Sequence, residues 1–151
     1  MELAPDFDEF IGCLNARGVE FLIVGAYALA FHGAPRFTGD LDILIRPTGD
    51  NAARLLQAIE EFGFPTSGLT PAEMVNPRRM LELGVPPVQL HLMSAISGVN
   101  WDDASAHAVR AQLGRHPVTF IGREALIRNK RAAGRLKDRA DIEALGGDNE
   151  A

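Results

Sequence analysis

The chain reads as a mixed α/β domain, with a sheet of four or five strands flanked by helices and a helical C-terminal end. Three observations predict it. Short apolar runs at 19–24, 40–46 and 88–93 have strand length and composition, and Gly25 and Pro47 close the first two. Helical patterns fill the stretches between them, so strands alternate with helices. Two further helical segments, 123–133 and 137–145, follow the last extended stretch. With 151 residues and 46% hydrophobic content, the chain suits one domain with one core, spanning 1–151.

The elements follow in order. Glu9-Phe10, Cys13-Leu14 and Arg17-Gly18 give helical spacing and a glycine stop, which predicts a helix over 6–17. After the first strand, residues 26–32 have the composition of a short helix stopped by Gly33. The segment 34–39 carries Pro35 and Gly39 and is a loop before the second strand. Thr48 or Asp50 caps a helix reaching Phe62, with Ala53, Leu56 and Ile59 at helical intervals and Gly63 beyond. Thr70-Pro71-Ala72-Glu73 is a helix start with a capping box. Residues 80–84 fit no single pattern, while 88–93 alternates as a third strand. Asp102 and Asp103 open a short helix, and 117–121 is a last short strand. Gly134 breaks the two closing helices apart.

Composition excludes several classes. No apolar run approaches the ~18 residues that cross a membrane, and the acidic N-terminus (Glu2, Asp6, Asp8, Glu9) lacks the basic start of a secretory signal. The single cysteine, Cys13, has no internal partner for a disulfide, which points to a cytoplasmic location and a place on the buried side of the first helix. The net charge of −5 disfavours non-specific coating of nucleic acid. Eight of the fifteen Lys and Arg residues nonetheless lie between Arg115 and Arg139, opposed only by Glu124 and Asp138. That segment is either a solvated helical face or a local site for a phosphate-bearing ligand.

Asp40 and Asp42 carry the chemistry. A strand alternates its faces, so both carboxylates point one way and Leu41 and Ile43 the other. Two like charges so close raise each other's pKa, and a divalent cation with oxygen ligands keeps both ionised. The competing reading pairs them with Arg36 and Arg46. Gly25 ends the preceding strand and lets the backbone approach a ligand closely, with the N–H groups of the next helix suited to an anion. His32 reads as a helix-end hydrogen-bonding group, Asp141 as an ion-pair partner of Lys137 or Arg139, Tyr27 and Phe31 as packing, and Trp101 as packing or a base-stacking platform.

Val24-Gly25-Ala26, followed fifteen residues later by Asp40-Leu41-Asp42, resembles the signature of nucleotidyltransferases of the DNA polymerase β type. The run from Ala125 to Asp141, with Lys130 and Arg135-Leu136-Lys137-Asp138-Arg139-Ala140-Asp141, resembles the closing motif of small bacterial members, the AbiEii toxin type among them. The resemblance implies the nucleotidyltransferase fold and transfer of a nucleoside monophosphate from an NTP to a hydroxyl of RNA, protein or a small molecule. It implies Mg²⁺ or Mn²⁺ at Asp40 and Asp42, and triphosphate at Gly25, Ala26, Lys130 and Lys137. Asp138 would orient the lysines, and Arg36 and Thr38 complete the candidate nucleotide contacts. Catalysts of the superfamily often carry a third carboxylate on the next strand, where this chain has His91. His91 is therefore either the general base or the sign of a nucleotide-binding protein without turnover, for example one partner of a toxin–antitoxin pair encoded beside its gene. A third expectation is a plain interaction domain whose aspartates are salt-bridged.

Overall fold

The computed structural model describes residues 3–35 and 39–147. Helix α1 (Pro5–Ala16) leads into strand β1 (Phe21–Val24), the short helix α2 (Gly25–Phe31) and strand β2 (Asp40–Ile45). Helices α3 (Gly49–Phe62) and α4 (Pro71–Met74) precede the hairpin of β3 (Met80–Val85) and β4 (Val88–Met93). Helix α5 (Trp101–Ala106), a second hairpin of β5 (Val109–Leu113) and β6 (His116–Phe120), and helices α6 (Arg123–Ala133) and α7 (Leu136–Ala144) complete the chain. Among the described residues the sheet has six strands in the order β3-β4-β2-β1-β6-β5, against the four or five expected. The additions are β3, from the ambiguous stretch, and β5.

Both additions are outer strands with little burial. Strand β5 (Val-Arg-Ala-Gln-Leu) buries no residue fully, so it lacks the apolar alternation by which strands are read. Strand β3 turns Leu81 and Leu83 inward but exposes Met80 and Glu82, and Gly84 interrupts it. The central strands are plain by contrast. All four residues of β1 are buried, as suits a strand covered on both faces.

The register sets the position of every polar group on β2. Strand β1 runs antiparallel to β2 with Val24 opposite Asp42, and β4 runs parallel to β2 with His91 beside Asp42 and Gln89 beside Asp40. Glu82 on β3 is in turn opposite His91. Leu41 and Ile43, on the other face, are fully buried. Helices α1 and α3 pack together through an edge-to-face contact of Phe10 with Phe62, ring centres 5.2 Å apart. Helix α6 meets α2, α5 and α7, and no helix among the described residues is long and apolar enough to cross a membrane.

Several expectations meet their geometry here. Thr48 caps α3 through its hydroxyl, which accepts from the Asn51 N–H, and Gly63 ends the helix in the left-handed region at φ 112°. Thr70 caps the single turn of α4. His32 donates from Nε2 to the Ile121 carbonyl at 2.7 Å, joining the end of α2 to the end of β6. Phe31 stacks on Phe120 at 4.2 Å and Tyr27 is buried, so both pack. Cys13 is half-buried against the core.

Candidate functional site

The end of β1 lies beside the start of β2 because the two strands are antiparallel, which brings Gly25, the first residue after β1, against Asp42 on β2. Gly25 has φ 66°, a conformation that L side chains rarely adopt, and a Cβ there would collide with the Asp42 carboxylate. The glycine therefore does two things: it turns the chain from strand into helix and leaves room for an acidic side chain. Helix α2 is only seven residues long, so its anion-binding capacity rests on the N–H groups of its first turn.

These residues line one side of a cleft of about 850 Å³. Gly25, Ala26, Asp40, Asp42 and His91 come from the sheet and the start of α2; Asn129 and Lys130 come from α6, Arg135 from the turn after it and Lys137 from α7. An apolar wall of Pro77, Met80, Met93 and Ile96 completes it. The cleft thus sets cations and carboxylates within one concavity, over a floor of sheet.

Asp42 is the electrostatic centre. Burial pushes its carboxyl above the usual carboxylate range and Asp40 adds to this, while His91 and Lys130 act in the opposite direction. His91 Nδ1 lies 2.9 Å from Asp42 Oδ1, and its Nε2 lies 3.3 Å from the Gln89 carboxamide oxygen. With a carboxylate as acceptor, Nδ1 carries a proton in this arrangement. Asp42 therefore fixes the imidazole plane while its second oxygen faces Gly25. Among the described residues no group of three or more His, Cys, Asp and Glu side chains converges to hold a metal. The carboxylates that line the cleft are those of Asp40 and Asp42.

Behind the cationic side, Lys130 Nζ lies 3.0 Å from Asp141 and 3.5 Å from Asp138. Arg135 donates from Nε to Asp138 at 2.7 Å and from Nη2 at 3.2 Å, and its backbone N–H reaches the same carboxylate at 3.1 Å. Burial pushes the Asp138 carboxyl up, but these bonds outweigh it and hold the group below its ordinary value. Gly134 makes the arrangement possible: at φ 68° it ends α6 and turns α7 back so that Asp138 and Asp141 face Lys130.

The structure brings Gly25, Ala26, Asp40, Asp42, His91, Lys130 and Lys137 to the cleft. Asp138 is placed apart, fully buried beneath Lys130 and Arg135. Arg36 and Thr38 lie outside the described residues. Two pairings differ from expectation. Arg46 binds Glu20 through both carboxylate oxygens, at 3.0 and 3.1 Å, at the far end of β2 from Asp40. Asp141 pairs with Lys130 on the neighbouring helix, whereas a same-helix partner was expected. Trp101 packs against the core, the first of its two expected roles, and lines a separate cavity with Phe21 and Leu22. The residues that sequence reasoning missed are Arg135, visible only as one member of a basic run, and the apolar wall, which draws on two separate stretches, 77–80 and 93–96.

This architecture is the nucleotidyltransferase fold. The chain superposes with a TM-score of 0.62 on the antibiotic-resistance factor ANT(2'')-Ia, at 12% identity, over 95% of this chain and 82% of that one. It superposes equally, at 0.62 and 14% identity, on a nucleotidyltransferase candidate from Thermotoga maritima, covering 94% and 91% of the two chains. The lincosamide antibiotic adenylyltransferase LnuA gives 0.59 at 13% identity, over 95% and 96%. No family model and no curated protein sequence matches the chain.

Proposed function

We propose that this protein transfers a nucleoside monophosphate from an NTP to a hydroxyl group, releasing pyrophosphate. One observation carries the reading: Gly25, Asp40, Asp42, His91 and Lys137 share a single cleft although the chain brings them from four separate segments. Asp40 and Asp42 would hold Mg²⁺ or Mn²⁺. The donor set fits: it is all carboxylate oxygen, and one member is buried where an unscreened charge is unfavourable. Two carboxylates leave most of the coordination shell to phosphate oxygens and water, so the cation arrives with the nucleotide. When bound, it supplies charge stabilisation at the reacting phosphorus.

The protein's own residues do the rest. The backbone at Gly25 and Ala26, with Lys137 of α7, holds the triphosphate. The acceptor oxygen forms a bond to the α-phosphorus as the α–β phosphoanhydride bond breaks and pyrophosphate leaves, and its proton passes to Nε2 of a neutral His91, from which the Gln89 carboxamide oxygen turns away. Asp42, bonded to Nδ1, keeps that nitrogen oriented. The acceptor is RNA, a protein or a small molecule. The solved structures bound to tobramycin-derived product or lincomycin lend support to a small molecule. The AbiEii-type subfamily and a toxin–antitoxin setting remain part of this proposal on the strength of the Lys130–Asp141 segment.

A second reading keeps the binding and drops the turnover, favoured by an imidazole standing where a carboxylate would supply negative charge. The test is incubation with each α-labelled NTP and Mg²⁺ or Mn²⁺, scoring label transfer and pyrophosphate release. Transfer that falls 10²- to 10⁴-fold in His91→Ala supports the enzyme with a histidine base. Calorimetric NTP binding without transfer, lost in Asp40→Asn, supports the second reading. No binding and no transfer sinks both.

A further inference from the structure

Lys130 is the residue that the sequence motif nominates to meet phosphate, and its surroundings argue against that role. Its side chain is 7% exposed and contacts two carboxylates that are themselves 0% and 8% exposed. An ammonium in that position has its charge met from within the protein, and moving it toward a ligand would take that charge away from two buried carboxylates. Arg135 has the opposite disposition. Its side chain is 61% exposed and lines the cleft, yet it is tied by two bonds to the buried Asp138. A guanidinium has five N–H donors in one plane, and Asp138 takes two of them. The other three keep a fixed direction because the carboxylate below cannot move: Asp138 starts α7 and also accepts the Arg135 backbone N–H.

Two carboxylates and two cations make this cluster neutral, so the charge offered to a ligand is the outward part of Arg135 together with Lys137. We infer that Arg135 is the principal phosphate-gripping side chain of the cleft and that Lys130, Asp138 and Asp141 form its buried anchor. Asp138 is then a positioning residue, acting through Arg135. The ligand class is a polyphosphate chain, recognised by planar, charge-assisted hydrogen bonds. Lysine at 135 keeps the charge but is unable both to hold Asp138 and to present a fork of donors. The assignment rests on the nucleotide-transfer reading for its physiological ligand, but the polyphosphate chemistry stands apart from it.

The experiment measures calorimetric affinity for Mg²⁺·ATP, Mg²⁺·tripolyphosphate and adenosine, with a melting curve for each variant. Arg135→Gln should weaken ATP and tripolyphosphate about 10-fold or more, the scale of lost charged hydrogen bonds. Adenosine affinity should stay near wild type, while the melting temperature falls because the buried Asp138 loses its guanidinium partner, so affinities are compared at temperatures where the variant is folded. Arg135→Lys should recover little of the loss. Lys130→Met should melt several degrees lower and, at temperatures where it is folded, lose less affinity than Arg135→Gln. An Arg135→Gln protein that binds both phosphate ligands normally overturns the assignment, and so does a folded Lys130→Met or Lys130→Gln that loses them while Arg135→Gln does not. Wild-type binding of tripolyphosphate without ATP, still dependent on Arg135, refutes the nucleotide reading and leaves the assignment standing. Wild-type binding of neither refutes both.

Discussion

Gly25 and Asp42 are opposed across a gap that only a hydrogen atom fits. Gly25→Ala places a methyl group against the carboxylate and forces an L residue to φ 66°, which costs roughly 1–2 kcal/mol from the backbone alone. The expected result is a lower melting temperature together with lost Mg²⁺·NTP binding, read by a melting curve and calorimetry on the same sample. Asp42 gives the converse. Burial disfavours its ionised form, so Asp42→Asn should raise the melting temperature at pH 7, on the order of 2–4 °C, the response to about 1 kcal/mol at this chain length. Transfer should be abolished in the same variant. A protein that becomes more stable as it loses activity is the signature of a site kept at the expense of stability. An Asp42→Asn protein that melts lower would show that the His91 bond outweighs the desolvation.

Helix α3 shows how one polar residue aligns three elements. Asn51, 2% exposed, accepts the Glu20 N–H at 2.7 Å and donates to the Glu20 and Arg46 carbonyls at 2.9 and 3.0 Å. It fastens the start of β1 and the end of β2 to the first turn of α3. Asn51→Ala takes the acceptor from the Glu20 N–H and one of two donors from each carbonyl, and should cost roughly 1–3 kcal/mol, measured by urea unfolding. The sequence made α3 legible through Thr48 and Gly63, and the inner strands through their apolar runs. The aspartate pair was legible for a geometric reason, since a two-residue spacing on a strand needs no tertiary knowledge. Strands β3 and β5 were not, because an outer strand buries too little to impose a pattern. The Lys130–Asp141 pair was hidden for a different reason: the αL turn at Gly134 closes a contact between helices, and same-helix spacing does not encode it.

Across the molecule, the depressed carboxylates set the acid limit. The Arg115 backbone N–H at 2.8 Å and its guanidinium at 2.6 Å hold Asp8 below its ordinary value, as Arg135 does for Asp138. A folded-state pKa below the unfolded one contributes stability above about pH 4, lost as pH falls from there through the folded value. Melting temperature should therefore drop below about pH 4, and Asp8→Asn should destabilise the protein at pH 7 while flattening that drop. Asp42 works with the opposite sign, its contribution being largest in acid and lost as pH rises through its raised pKa. Ligand linkage gives a second whole-molecule outcome: with only two carboxylate donors, Mg²⁺ alone should leave the melting temperature nearly unchanged. Mg²⁺ with NTP at 100 times Kd should add about 2.7 kcal/mol. A large shift with Mg²⁺ alone would mean a complete protein-built metal site.

The parallel pairing of β1 with β6 joins Ile23 to Phe120, roughly a hundred residues apart in sequence. A ribosome adding about 5–20 residues per second needs several seconds to bridge that interval. During those seconds the two aspartates have been made, but the strand that braces β1 and the helices carrying Lys130, Arg135 and Lys137 have not. A half-made chain thus carries its acidic residues without the cations that would retain a phosphate beside them. Under the proposed function, the phosphate-facing cations join the cleft only when synthesis has reached α7.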